Sequence, residues 1–581
     1  MAGRDKPYRQ CLMPPVEKRW NIQKHDRTAA ALLAEETGLR PLTAALLIAR
    51  GHDTQEKAER FLQPAFDQLH DPSLLRDVDR AVKRIMHAVE QGEKILVWGD
   101  YDVDGTTGTA LLRGVLRVLG AESEFHIPDR FAEGYGINIP MLEAAKQRGC
   151  GLVITVDCGI RGFESLAWAK ENGMDVIITD HHLADEQQGN PPAFAVINPN
   201  QPGCDYPDKA LAGVGVAFKL AQALLREAGR EDAAQAFLKI AAIGTVADLM
   251  DLGGENRAIV SLGLRDLTAT RNLGLKALME AADCRSDMTS FHIGFRIGPR
   301  INAAGRMDNA CQVVELLEAE SFEQARKIAS ALDSRNRERQ RIQQEITELA
   351  LREAVENGAA KFVVVSGEGW HRGVIGLAAS RIADRLYRPT IVLSTDNGVA
   401  HGSGRSVGNY HLLNALESCA DLFDQFGGHA AAAGMKLPSD RIPELSRRLD
   451  EHAENTLTDD DLVPEIQIDA AVSTATLSLE MVNELALLEP FGIGNPKPVF
   501  ATSGLFLRYE PTVLKEKHLK LYLADSEGRR FEAVWWDGVE RSMRRTLAQG
   551  SGIELAYTAS ENVWQGNSRL QLVVEDLREH N

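Results

Sequence analysis

Asp100, Asp102 and Asp104 stand at alternate positions in the run Asp100-Tyr-Asp-Val-Asp-Gly105. Alternate residues of an extended segment point the same way, so three carboxylates crowd one side. Ionised acids that close repel one another strongly, and a hard divalent cation is the simplest neutraliser. Asp157 and the imidazole of His181 extend the set to mixed oxygen and nitrogen donors, which suits Mn²⁺ or Mg²⁺ better than a thiolate-bound metal. A calcium loop of the EF-hand kind competes with this reading. Gly105 falls at its sixth position, but the twelfth, which needs glutamate, is Leu111. Asp180-His181-His182 alone could be a helix N-cap with incidental histidines, and Asp248 alone could be a surface acid. Their place in the chain gives them weight.

Each group follows an apolar run. Lys94–Asp100, Gly151–Asp157 and Met174–Asp180 all read as short buried strands ending in aspartate. Thr106–Leu119 and Phe163–Asn172 show helical spacing between them. Asp248 closes an apolar, helix-like run from Ala241. Continuous apolar strands alternating with helices predict a parallel, doubly wound sheet. Such sheets bind ligands outside the carboxyl ends of their strands, so the acid clusters are expected to converge.

Composition narrows the function classes. Hydrophobic residues make up 44% and charged residues 25% of 581, a globular profile long enough for several domains. The most apolar window, 210–225, is broken by Lys219 and two glycines, so no membrane span is expected. The first ten residues have no apolar core like that of a secretory signal, and a cytoplasmic protein is expected. Seven cysteines without a CxxC pair argue against a disulfide framework or structural zinc. A formal charge of −18 argues against a bulk electrostatic grip on nucleic acid, though not against local basic grooves. The absence of GxxxxGK[ST] and HExxH excludes a P-loop ATPase and a zincin.

Longer motifs accompany the acids: Gly99–Gly108, Ile127-Pro-Asp-Arg130 with Gly134-Tyr-Gly136, Val156–Gly159, Gly244–Asp248 and Gly298–Arg306, then Gly369–Gly376, Gly402–Ser406, Gly427-Gly-His429 and Ala433-Gly434. On these the chain resembles the DHH phosphoesterase superfamily and, within it, the single-strand-specific exonucleases. The resemblance covers nearly the whole chain. It implies an α/β, multidomain architecture: an N-terminal helical segment (1–70), a parallel-sheet catalytic domain (71–308), a connecting helix (309–356), a smaller α/β DHH-associated domain (357–458) and a C-terminal β-barrel of the OB-fold type (459–581). It implies a 5′ to 3′ exonuclease acting in DNA recombination and repair. Two ions, Mn²⁺ or Mg²⁺, would be held by Asp100, Asp102, Asp104, Asp157, His181 and Asp248. Asp102, Asp104, Asp157 and His182 would be catalytic, with Asp157 bridging the ions and His182 beside the scissile phosphate. Single-stranded DNA is the implied substrate; single-strand-binding protein and a RecQ-type helicase are the implied partners. A small-substrate phosphoesterase of the same superfamily and a non-catalytic scaffold are the rival readings; the C-terminal barrel argues against the first and the complete acid set against the second.

The second half carries the expected substrate grip. Arg300, Asn302 and Arg306 would contribute from the catalytic side, and His371, Arg372, Ser403, Arg405 and His429, flanked by glycines, suit phosphate. Residues 321–356, free of Gly and Pro, predict one long helix, whose run Arg335–Arg341 either lines a DNA path or is a solvated face. The charged stretch 450–461 reads as a linker. Beyond it, short strands at 499–502, 519–524, 531–536, 552–558 and 569–574 predict a small barrel. Between Lys497 and Arg545 there are ten Lys/Arg against seven Asp/Glu. Tyr509, Tyr522, Phe531 and Trp535 are positioned either to stack bases or to fill the core, and of Trp535 and Trp536 one should face in and one out. The segment 1–70 looks helical near Leu42–Ile48, and covering the catalytic domain is one role open to it.

Overall fold

Five short strands form one parallel sheet: β1 (Lys94–Gly99), followed by helix α1 (Val103–Val118), then β2 (Ser123–His126), β3 (Cys150–Val156), β4 (Asp175–Thr179) and β5 (Ala195–Ile197). Their spatial order is β2–β1–β3–β4–β5, every pairing parallel. The computed structural model describes residues 17–284, 287–356, 358, 360–543 and 545–580. Within β1, Ile95 and Val97 enter one core with helix Val78–Gln91 and with α2 (Gly213–Glu227), while Leu96 and Trp98 enter the other with helices Ile139–Gln147 and Phe163–Glu171. Burial on both faces explains why the strand is apolar throughout rather than alternating. Each fully buried Leu, Ile or Val is worth roughly 1.5–3 kcal/mol.

The described residues fall into two compact units: those in 56–337 with 488–496, and those in 17–55 with 338–487 and 497–580. The first holds the parallel sheet, α2, α3 (Leu238–Ala247) and α4 (Gly298–Met307). The long helix predicted at 321–356 is α5 (Phe322–Glu356).

Besides the two-stranded pair Arg19–Ile22 with Glu465–Ile468, the second unit contains two larger sheets. One comprises β6 (Val363–Glu368), β7 (Thr390–Asp396), β8 (Val399–Arg405), β9 (Gln425–Gly428) and β10 (Ala432–Pro438), with α6 (Arg372–Leu386) and α7 (Ile442–Thr456). The other comprises β11 (Phe500–Leu507), β12 (His518–Asp525), β13 (Arg530–Trp535), β14 (Gly552–Trp564) and β15 (Asn567–His580). Their pairings run β11–β14–β15–β13–β12 and return from β12 to β11, closing the predicted barrel. Trp535 and Phe531 are buried, whereas Tyr509 and Trp536 are exposed. The two tryptophans thus face opposite ways, as expected.

Two expectations are corrected, and two open readings are narrowed. The acidic stretch at 100–105 is not extended: Asp102 caps α1, accepting the Gly105 N–H at 3.0 Å, and Asp104 lies in its first turn. Acids are favoured there by unpaired N–H groups and the helix dipole. The supposed linker at 450–461 is half helix, because Leu449, Ala453 and Leu457 are buried while Asp450 accepts the Lys361 and Phe362 N–H groups. Residues 17–55 belong to the unit with the barrel, where Arg19–Ile22 pairs in parallel with Glu465–Ile468; the helical stretch near Leu42 is Pro41–Ala49. In the Arg335–Arg341 run, Arg335 binds Gln312 and Asp308, Arg337 binds Asp333, and Arg341 binds Glu338 and Glu345. The ion pairs occupy these three arginines and favour the structural reading.

Candidate metal centre

The sheet register builds the site. Gly99 pairs with Val156, Val156 with Thr179 and Thr179 with Ile197, so the next residues, Asp100, Asp157, Asp180 and Asn198, emerge together. All four are buried. The crevice they flank lies where strand order reverses, between β1 and β3, the usual ligand position in such sheets.

Asp157 has φ +60°, a left-handed conformation costly for a non-glycine residue. Its N–H donates to the Thr179 carbonyl at 2.9 Å, holding that geometry. Gly213 permits the packing: a Cβ there would lie 2.8 Å from Asp157 Oδ1. The N-terminus of α2 also serves Asp104, whose oxygens accept the Gly213 and Val214 N–H groups at 2.6 and 2.8 Å. Asp248 follows the last residue of α3, where the helix dipole opposes a negative charge.

His181 Nε2 sits among these acids, 3.2 Å from Asp157 Oδ1, 3.6 Å from Asp248 Oδ2 and 3.9 Å from Asp104 Oδ2. Two donor groups, Asp100–Asp102–Asp157 and Asp104–His181–Asp248, are joined by a third, Asp157–His181–His182, with ligand atoms in each within 4.8 Å. Burial, then the Asp102 charge, pushes Asp100 up to about 8 and Asp248 up to about 7. Burial and neighbouring acids push Asp104 and Asp157 well up. Burial pushes His181 down to about 4, so it is a neutral imidazole, the ligand form. Asp100 Oδ1 and Asp157 Oδ1 are buried and accept no hydrogen bond. Clustered acids with orphaned oxygens beside a neutral imidazole fit divalent cations.

Asp180 has a different task from the other acids. Its Oδ1 accepts the His181 and His182 N–H groups and His182 Nδ1–H at 2.7 Å, and Oδ2 accepts the Ile160 N–H. Burial alone would raise its pKa, but the hydrogen bonds and charge of His182 outweigh that and hold it low. Burial lowers His182, yet the Asp180 bond and charge raise it overall. Asn198 and Asn200 complete the support by donating to the His182 and His181 carbonyls. Sequence reasoning assigned no role to Asp180, Asn198 or Asn200; only the third-strand position of Asp180 hinted at one.

A cleft of about 370 Å³ opens over the acids, lined among others by Asp100, Asp102, Asp157, His182, Asp248 and Arg130. Asn302 and Arg306, expected to bind substrate, line it from α4. Arg300 does not line it: its guanidinium bonds Asp333 and the Arg296 and Ala281 carbonyls. Tyr135 was missed. Gly134 and Gly136, both at positive φ, turn the chain around it, and its hydroxyl donates to the Asp157 carbonyl at 3.1 Å. In the second unit, Ser403 and Arg405 meet on β8, Arg405 bonding Ser380 and Ser403. His371 and Arg372 stand at the start of α6. His429 is exposed between β9 and β10.

This fold and centre define a metal-dependent phosphoesterase of the DHH class. Residues 94–245 match the DHH family N-terminal domain, 359–455 the DHHA1 domain and 468–576 the RecJ OB domain. The single-stranded-DNA-specific exonuclease RecJ of Bacillus subtilis (strain 168) is 39% identical over 563 residues, spanning 96% of this chain and 70% of that protein. The crystal structure of RecJ with Mn²⁺ from Thermus thermophilus matches with TM-score 0.83 at 30% identity, over 97% of this chain and 80% of that one. The corresponding Mg²⁺ structure matches with TM-score 0.77 at 29% identity, over 97% and 79%. The chain belongs to the RecJ family of nucleases. Among the described residues, no helix is long and apolar enough to cross a membrane.

Proposed function

We propose that this chain is a single-stranded-DNA-specific exonuclease that cuts from the 5′ end and releases 5′-mononucleotides, in DNA recombination and repair. The observation that carries the reading is the row of buried acids around His181, with two orphaned carboxylate oxygens. The six ligands proposed are Asp100, Asp102, Asp104, Asp157, His181 and Asp248, shared between two divalent ions. Bound there, Mn²⁺ or Mg²⁺ supplies the Lewis acidity for phosphodiester hydrolysis. The chain's own residues do the rest. Asp157 and Asp104 are held rigid by backbone bonds, so the acids need little rearrangement. His182, gripped through Nδ1 by Asp180, turns Nε2 as a donor toward a phosphate in the cleft. Arg130, Asn302 and Arg306 line the approach, where they can neutralise and orient an anion.

His371, Arg372, Ser403, Arg405 and His429 are proposed as a second phosphate-contacting set, and Arg300 as support for α4. The proposed division into helical segment, DHH domain, connecting helix, DHH-associated domain and OB-fold follows the residues given above, with 450–456 assigned to helix. A cytoplasmic setting with single-strand-binding protein and a RecQ-type helicase suits this function. The test is one oligonucleotide labelled at either end, single-stranded or blunt duplex, with Mn²⁺, Mg²⁺ or EDTA. Immediate release of 5′-labelled mononucleotide from the single strand alone, stopped by EDTA, is expected. Hydrolysis only of pyrophosphate or dinucleotides would overturn the reading.

A further inference from the structure

Two phenylalanines outside the cleft stand exposed on one helical face. Phe291 and Phe295 are 55% and 71% accessible, and their rings stack with centroids 4.8 Å apart and planes 26° apart. Leaving two large aromatic rings in water forgoes the burial that stabilises such side chains elsewhere. The backbone beneath them is a π-turn, Ile293–Ile297, between Ser290–His292 and α4. Residues four apart on an α-helix are offset by about 40°. The wider π-turn reduces that offset and brings the rings into register, and such turns concentrate at functional sites. The opposite face, Ile293 and Ile297, is fully buried.

The helical run continues from this pair into the cleft. Asn302 and Arg306 stand four residues apart on α4, and both line the cleft. Phe291 and Phe295 thus precede Asn302 and Arg306 on one continuous helical run, whose far end lines the cleft over the acids. From Phe295 to Arg306 the rise is about 16 Å, which spans several nucleotides of a single strand. Aromatic faces followed by amide and guanidinium groups match the alternation of base and phosphate.

We propose that Phe291 and Phe295 form a base-stacking platform for the single strand, placed several nucleotides from the bond that is cut. The proposal rests on the reading of the chain as a single-strand nuclease, and it commits to nucleobases rather than a protein partner as the occupant. Equilibrium binding of a fluorescent single-stranded oligonucleotide, measured in EDTA so that nothing is cut, tests it. The Phe291→Ala/Phe295→Ala variant is expected to bind about tenfold more weakly, the scale of one lost base–aromatic stack, with Phe295→Trp retaining affinity and Phe295→Leu losing it. An abasic residue walked along the oligonucleotide should weaken wild-type binding at one or two positions and leave the double variant indifferent there. Unchanged affinity in a double variant that melts like wild type, or an abasic effect that persists in it, overturns the platform. Oligonucleotide binding that shows these aromatic effects, with no cleavage when Mn²⁺ is added, would instead sink the nuclease reading and leave the platform standing.

Discussion

A buried carboxylate without a counter-charge recovers a proton, and Asp100 and Asp248 are pushed up to about 8 and about 7. Unfolded, both titrate at about 4. Between about pH 4 and these raised values the folded chain holds protons that the unfolded chain has released. Stability of the metal-free protein therefore falls as pH rises through that window. Thermal melts in EDTA are expected to show a lower Tm at pH 8 than at pH 6. Mn²⁺ should reverse the trend, since protons and cations compete for the same oxygens. His182 is raised as well: Asp180→Asn removes the charge that holds the imidazole up, so the basic limb of the kcat profile, where the charged donor form is lost, should shift to lower pH, with kcat reduced about 100-fold. An unmoved profile would remove Asp180 as the group that orients and charges His182. Asp100, Asp157, Asp248 and the Asp180–His182 triplet stood out in the sequence because each closes an apolar run, and Asp102 and Asp104 because they alternate after Asp100. Asp180 was not separable from them, since a ligand and an anchor are the same residue type at the same strand end.

At the level of elements, the register that levels the ends of β1, β3 and β4 turns three distant aspartates into one row. The strands were legible from their apolar runs, but their register was not, and neither was the start of α1. The alternation of Asp100, Asp102 and Asp104 suggested an extended turn because a period of two says nothing about an N-cap. The approach of α2 to β3 was equally hidden. Gly213→Ala should press a methyl group onto Asp157, weakening Mn²⁺ binding at least tenfold while circular dichroism stays that of wild type; unchanged affinity would show that the carboxylate has room to move. In the second unit, Asp450→Ala strands the Lys361 and Phe362 N–H groups and should cost about 1–3 kcal/mol, read as a lower denaturation midpoint. No change there would restore the stretch to a linker.

Across the whole molecule, chain order and spatial grouping diverge. Trp20, near the start of the described chain, donates to Asp576 at 2.8 Å and packs with Ile466 and Ile468, while Arg578 lies over its ring. Sequence reasoning left the place of this segment open, because a four-residue strand pairing across the chain leaves no local signal. Trp20→Ala should destabilise the unit that holds the barrel by about 3–5 kcal/mol, seen as faster hydrogen exchange in Arg19–Ile22 and Glu465–Ile468. The claim on which the account turns is narrower: Asp157, strained and buried between the two donor groups, holds the cations on which hydrolysis depends. The direct test is Asp157→Asn, which keeps the shape and tolerates a positive φ, followed by Mn²⁺ titration and single-strand hydrolysis in one preparation. A wild-type melt with Mn²⁺ uptake and turnover both lost is the predicted result, and near-normal turnover would contradict the site.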